Sequence, residues 1–242
     1  MKYKLGDIMN APIIYVGGSK GGVGKSKLSF AVIDYLISQE KKVLLLESDT
    51  SNPDVYKAHY KYENLGIFCR QVNLDNSDGW IELVNFTDEF PDHFVVINSA
   101  ARSNTGIEKY GVTLKETLGE LNRELITFWI INRQRDSIEL LRGFLNTFSD
   151  AHIHVFRNLY FGDPEKFELY NGSNSKVLIE KKGLTLDFPD LADRVADKIY
   201  SGRMPIQIAL KELPIGDRAE LKRWKSKCKE ILDKALTMDK EK

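Results

Sequence analysis

Between a short β-branched run, Ile13 to Val16, and a segment of helical spacing, Leu28 to Ile37, lies the loop Gly17-Gly18-Ser19-Lys20-Gly21-Gly22-Val23-Gly24-Lys25-Ser26. It is of the GxxxxGK[ST] phosphate-loop type, and its flanks are the strand and helix that such a loop requires. Glycines let backbone N–H groups converge on phosphate oxygens, the following helix presents its positive end, and Lys25 adds a cation beside the β and γ phosphates. The Ser26 hydroxyl is placed to ligate Mg²⁺. Gly18, Ser19, Lys20, Gly21, Gly22, Val23, Gly24, Lys25, Ser26 and Lys27 are therefore the expected nucleotide contacts. A glycine-rich turn can be purely structural, but the Lys-Ser pair with these flanks favours phosphate.

The rest of the chain repeats the strand-helix theme. Ile13 to Val16, Val43 to Leu46, Phe94 to Ile97, Ile126 to Ile131, His152 to Phe156 and Leu184 to Phe188 are short apolar runs of buried-strand character. Helical spacing occupies Leu28 to Ile37, Trp80 to Phe90, Leu114 to Leu121, Ile138 to Phe148 and Leu191 to Ile199. Asp136-Ser137 and Pro189-Asp190 are plausible helix starts. This alternation predicts an α/β fold, a doubly wound, mainly parallel sheet with helices on both faces. With 242 residues and no Pro/Gly-rich linker, the chain is expected to form one domain over residues 1–242. The charged, Gly- and Asn-rich stretch from Gly162 to Gly183 is the expected surface excursion.

Composition excludes little but is informative at the margins. Lys and Arg number 35 and Asp and Glu 35, so attraction to nucleic acid or lipid would have to come from a local patch. The two cysteines, Cys69 and Cys228, lack CxxC spacing, which argues against a disulfide framework or zinc site and suggests a reducing cytoplasm. No apolar stretch approaches the roughly 20 residues that span a bilayer.

Acidic residues cluster after the second strand, in Leu46-Glu47-Ser48-Asp49-Thr50-Ser51-Asn52-Pro53-Asp54. Carboxylates at the C-terminal end of a strand face the site in a doubly wound fold. Glu47 and Asp49, two apart in an extended segment, are expected to address the metal-bound or attacking water from the same side. A turn or helix-capping role is the alternative for Asp49 and the favoured one for Asp54.

The run Lys20-Gly21-Gly22-Val23-Gly24-Lys25-Ser26 resembles the deviant Walker A motif of the ParA/MinD superfamily of partition and positioning ATPases. The resemblance implies ATP and Mg²⁺ as cofactors and a homodimer formed on ATP binding, with Lys20 reaching across the interface to the partner's phosphates. The bland alternative is a solvated lysine at a loop tip. It also implies a catalytic set of Lys20, Lys25 and Asp49, with Asp49 matching the second aspartate of the family's Asp-x-Asp pair. Where the family places its Walker B aspartate, this chain has Asn98. An amide holds a metal-bound water by hydrogen bond but brings no charge. The expectation is slow hydrolysis, with Asn98 and Glu47 each meeting the metal through water. Asn158, at the end of a later strand, resembles the asparagine that lies near the adenine in this superfamily; a turn role is the alternative, as it is for Asn132.

Over a longer span, GGVGKSKLSFAVIDYL, LLLESDTSNPDVYKAHY, FVVINSAARSNTGIEKYG and WIINRQRDSIELL are similar to the plasmid StbB/TraL-like and MobD-like ATPases of plasmid stability and conjugative mobilisation. The resemblance reaches from the first strand to Leu141, and beyond it only strand-helix order matches. It implies an ATP-dependent switch with a protein partner from a partition or mobilisation system. The alternatives are a dethiobiotin-synthetase-like ligase, for which no substrate constellation is visible, and a MinD-like membrane-associated positioning ATPase. The C-terminal segment, expected to be helical over about 217–238, has Leu221, Trp224, Cys228, Ile231, Leu232 and Ala235 on one stripe. Six bases stand against one acid between Arg218 and Lys229. Packing on the domain is favoured, with non-specific DNA contact as the secondary use and membrane contact disfavoured. His152 and His154 alternate on one strand face, but no third ligand accompanies them, so packed histidines are favoured over a metal site.

Overall fold

The computed structural model describes residues 10–19, 21–101, 104–148 and 151–237. Seven strands form one sheet: β1 (Ile13–Gly18), β2 (Val43–Glu47), β3 (Ile67–Gln71), β4 (Phe94–Asn98), β5 (Leu125–Ile131), β6 (His152–Asn158) and β7 (Thr185–Phe188). Their order is β3-β2-β4-β1-β5-β6-β7, and every pairing is parallel. The helices are α1 (Lys25–Ser38), α2 (Asp54–His59), α3 (Ser77–Glu89), α4 (Asn104–Tyr110), α5 (Val112–Thr117), α6 (Asp136–Thr147), α7 (Glu168–Asn171), α8 (Asn174–Ile179), α9 (Asp193–Gly202), α10 (Ile206–Glu212) and α11 (Ile215–Thr237). This is the doubly wound α/β architecture expected of the sequence.

Parallel strands need crossovers, and crossover helices cover both faces of the sheet, so central strands are apolar throughout rather than alternating. All seven residues of β5 are buried, as are the six of β1. Successive side chains still diverge to opposite faces. Ile14, Val16, Leu45, Val96 and Phe128 enter one core with α1, α9, α10 and α11, while Ile13, Tyr15, Leu44, Val95 and Trp129 enter the other with α3, α5 and α6. On the first face, Leu221, Trp224, Cys228, Leu232 and Ala235 of α11 are buried, as the apolar stripe predicts. Its charged flank is partly neutralised: Lys225 reaches Asp34 of α1 at 2.9 Å, Lys229 pairs with Asp233 and Arg223 with Glu220.

Several local expectations need correction. β3 was not foreseen: it is an edge strand whose sequence, Ile67-Phe68-Cys69-Arg70-Gln71, ends in polar residues. The segment from Gly162 to Gly183 is not a bare excursion. It contains α7 and α8, and Phe167, Tyr170 and Ile179 are buried against the second core. Three well-spaced apolar residues anchor a stretch that is otherwise charged. The helix expected from Pro189-Asp190 begins at Asp193, and the one expected over Leu114 to Leu121 ends at Thr117. No described helix is long and apolar enough to cross a membrane.

Strand order puts β1 at the centre, between β4 and β5, so the loop after β1 opens at the C-terminal edge where connections diverge to either side. Register levels the neighbouring strand ends there: Val16 lies beside Asn98, and Asn98 beside Glu47.

Candidate nucleotide site

Aligned residue by residue, the pattern GxxxxGK[ST] that closes on Gly24-Lys25-Ser26 starts at Ser19, so the loop departs from it at the first glycine. The structure gives that serine a use. Ser19 is buried and its hydroxyl lies 2.9 Å from that of Ser137, in the first turn of α6. Ser137 Oγ in turn donates to Asn132 Oδ1 at 2.8 Å, and the Asn132 N–H donates back to Ser137 Oγ at 3.2 Å. The end of β1 is thereby pinned to the junction of β5 and α6. In the sequence Asn132 reads as a strand-end residue and Ser137 as part of a helix start, and neither is linked there to the loop. The available signal was an Asn at a strand end followed by a Ser at a helix start.

Sterics enforce glycine at several positions of the loop, Gly18 and Gly24 among them. A Cβ on Gly18 would stand 2.8 Å from Ile130 O and 2.9 Å from Val23 Cγ1. Gly24 has φ 109°, and a Cβ there would stand 2.6 Å from Asn158 Nδ2. Gly24 also occupies the N-cap of α1 without any side-chain cap, and the first turn of α1 carries no acid. The open N–H groups and positive pole of a 14-residue helix therefore face whatever lies over the loop.

That space is a cleft of about 470 Å³. Gly21, Gly22, Gly24, Lys25, Ser26 and Lys27 line it from the loop and α1; Asp49, Asn52 and Asp54 from the β2–α2 connection; and Ser99 and Ala101 from beyond β4. Asn158 and Tyr160 line it from the end of β6, and Asp193, Asp197 and Tyr200 from α9. α9 reaches the cleft because it follows the far strand β7 and returns across the sheet to meet α2. Lys25 is 7% exposed, and burial pushes its ammonium down to about 8 against the opposing pull of the Asp49 carboxylate. A polyphosphate beside it would favour the charged form. Lys20 lies outside the described residues.

Asp49 and Glu47 do not share one surface. Asp49 lines the cleft and accepts from Asn52 N–H at 2.9 Å, so its site-facing and turn roles coexist. Glu47 is fully buried beneath it. Glu47 Oε1 accepts from Asn98 Nδ2 at 2.8 Å and from Asp49 N–H at 3.0 Å, and Oε2 accepts from Tyr56 N–H at 3.3 Å. Asn98 Oδ1 accepts from Ser29 Oγ at 2.8 Å. Burial raises the Glu47 carboxyl to about 7, although these donors favour its charged form. Glu47 and Asn98, both expected to meet a metal through water, are thus spent on each other below the cleft, and Glu47 holds the backbone of Asp49.

Asn158 is buried at the cleft edge. Its Nδ2 donates to Val23 O at 2.9 Å and its Oδ1 accepts from Tyr160 N–H at 3.1 Å. His154 is packed within β6, its Nδ1 accepting from Leu184 N–H at 3.1 Å. Among the described residues no group of three or more His, Cys, Asp or Glu forms a metal-ligating cluster. A hard cation held by one hydroxyl, one carboxylate and phosphate oxygens needs no such cluster. Ser26 offers such a hydroxyl to the cleft, and Asp49 lines the same space.

Comparison with known proteins shows the family and the fold. A family model described as the CobQ/CobB/MinD/ParA nucleotide binding domain, CbiA, matches residues 14–160. The chain is 54% identical to Protein MobD of Acidithiobacillus ferrooxidans over 226 residues, which is 93% of this chain and 98% of that protein. It is 27% identical to Protein TraL of Escherichia coli over 164 residues, 64% of this chain and 66% of TraL. Among solved structures, the MinD cell division protein of Aquifex aeolicus gives a TM-score of 0.53 at 16% identity, covering 88% of this chain and 95% of that one. The septum site-determining protein MinD of Pyrococcus horikoshii, complexed with Mg-ADP, gives 0.56 at 15% identity, covering 93% and 96%. At such identities the likeness is one of fold.

Proposed function

The chain belongs to the CobQ/CobB/MinD/ParA nucleotide-binding family, and we propose that it is an ATP-dependent switch of plasmid mobilisation or partition that hydrolyses its nucleotide slowly. The observation that carries this reading is the uncapped N-terminus of α1 over a cleft shared by buried Lys25, Ser26 and Asp49. The near full-length similarity to MobD supports a mobilisation role over a metabolic one. The family includes ATPases, among them a MinD of Pyrococcus furiosus described as a cell division ATPase.

In this reading Gly21 to Ser26 receive the β and γ phosphates, and Lys25 neutralises them. Mg²⁺, when bound to Ser26 and the phosphates, supplies charge neutralisation at the transferred group. Asp49 orients the attacking water, held in place through its own N–H by Glu47. Asn98, bonded to Glu47 and Ser29, offers no charge to the metal side, which limits turnover. Lys20 completes the partner's site across an ATP-bound homodimer, and that dimer engages a protein of the mobilisation or partition machinery, with DNA contact through α11 secondary.

Molecular mass measured with ADP, ATP and a non-hydrolysable analogue tests this. Wild type is expected to be monomeric with ADP and dimeric with the analogue, and Lys20→Ala to bind nucleotide without stable dimerisation. Normal dimerisation and hydrolysis by Lys20→Ala would remove the switch reading.

A further inference from the structure

The asparagine at the end of β6 stands at the cleft edge with its amide engaged by the protein itself. Asn158 is 3% exposed, its Nδ2 binds Val23 O inside the phosphate loop, and its Oδ1 binds Tyr160 N–H. The same amide presses on the Cα of Gly24, leaving no room for a Cβ. One side chain therefore links the loop, the last glycine before α1, and the turn that carries Tyr160. Tyr160 is its opposite in character. It lines the cleft, is 52% exposed, stands perpendicular to the Phe161 ring with centroids 5.2 Å apart, and has Lys27 Nζ over it at 5.5 Å from the centroid. A large aromatic ring left half-exposed on a phosphate-binding cleft, steadied by a second ring, is a stacking surface.

We propose that the nucleobase stacks on Tyr160, and that Asn158 is a positioning residue that couples this ring to the phosphate loop rather than a reader of the base. The inference rests on the nucleotide-binding reading above and adds a specificity consequence. Stacking accepts any purine face, whereas amide hydrogen bonds distinguish one purine edge from another. ATP and GTP should accordingly bind within about tenfold of each other.

Affinities for ATP, GTP and inorganic tripolyphosphate, measured by calorimetry on the full chain, separate the roles. Tyr160→Ala should weaken ATP and GTP alike by about tenfold and leave tripolyphosphate within about twofold, with Tyr160→Phe rescuing the loss. Asn158→Ala should weaken all three ligands together, because it unties the loop itself. Thermal unfolding of each variant checks that the fold is retained. Three results would overturn the proposal: Tyr160→Ala binding ATP like wild type, Tyr160→Ala losing tripolyphosphate in equal measure, or Asn158→Ala losing ATP selectively against GTP and tripolyphosphate. Wild type that binds none of the three ligands would instead overturn the nucleotide-binding reading itself.

Discussion

Replacing Asn98 with aspartate should damage this protein before it improves any catalysis. In Asn98→Asp a carboxylate oxygen takes the place of Nδ2, which donates to Glu47 Oε1 at 2.8 Å. Two charges at that distance repel by about 6 kcal/mol at an effective dielectric constant of about 20. The buried pair relieves this by taking up a proton, as coupled carboxylates do. At pH 8 the expected net loss of stability is about 2–4 kcal/mol, or about 5–15 °C in Tm for a chain of this size. At pH 5 a shared proton restores the bond, and the loss should shrink below about 1 kcal/mol. Adding Glu47→Gln returns a donor opposite Asp, although the amide cannot also satisfy both Asp49 N–H and Tyr56 N–H. The double variant should recover at least about 1.5 kcal/mol relative to Asn98→Asp. It should also be the background in which Mg²⁺-dependent hydrolysis rises. Urea unfolding at both pH values, with the double-mutant cycle, is the assay. Equal destabilisation at pH 5 and pH 8, or no recovery in the double variant, would refute the reasoning.

Two further expectations follow from buried cations. Lys25 has a lowered pKa of about 8 in the free protein, and an adjacent polyphosphate raises it. Nucleotide binding should therefore take up a proton above pH 8, with affinity falling as pH rises, by at most about tenfold per unit. Calorimetry at pH 8.5 in buffers of different ionisation enthalpy reads this directly, and zero proton uptake would contradict it. Arg123 is buried and donates to four backbone carbonyls, those of Ala11, His93, Thr87 and Phe90, at 2.7, 2.8, 3.1 and 2.5 Å. Arg123→Ala strands these acceptors and should cost about 3–5 kcal/mol in a urea titration; a loss under about 0.5 kcal/mol would show the staple to be dispensable.

The legible parts of this molecule were those where chemistry is local. Central strands such as β5 announce themselves because both faces are covered and every residue is apolar. The edge strand β3 escaped notice because one of its flanks meets solvent. The phosphate loop was readable because its backbone geometry demands particular residues in succession. What escaped is set by contacts between distant segments. The Glu47–Asn98 bond joins residues 51 positions apart, and Ser19 meets Ser137 across 118. Asp193 and Tyr200 reach the cleft only because α9 folds back over the sheet. The pairing also gives Asn98 a partner on the neighbouring strand that only a donor could serve, the Glu47 carboxylate.

The packing of α11 on α1 has a consequence for how the protein is made. The helix that opens at the phosphate loop has its outer side sealed by Trp224, Cys228 and Leu232, with Lys225 tied to Asp34 and Tyr35 donating to Asp233. During synthesis, α1 leaves the ribosome almost two hundred residues before the helix that covers it. Until then one flank of α1 is bare and wet. The nascent chain thus carries its phosphate loop long before the helix that backs α1, so a ribosome that stalls before α11 leaves behind a loop with the right residues and no keel.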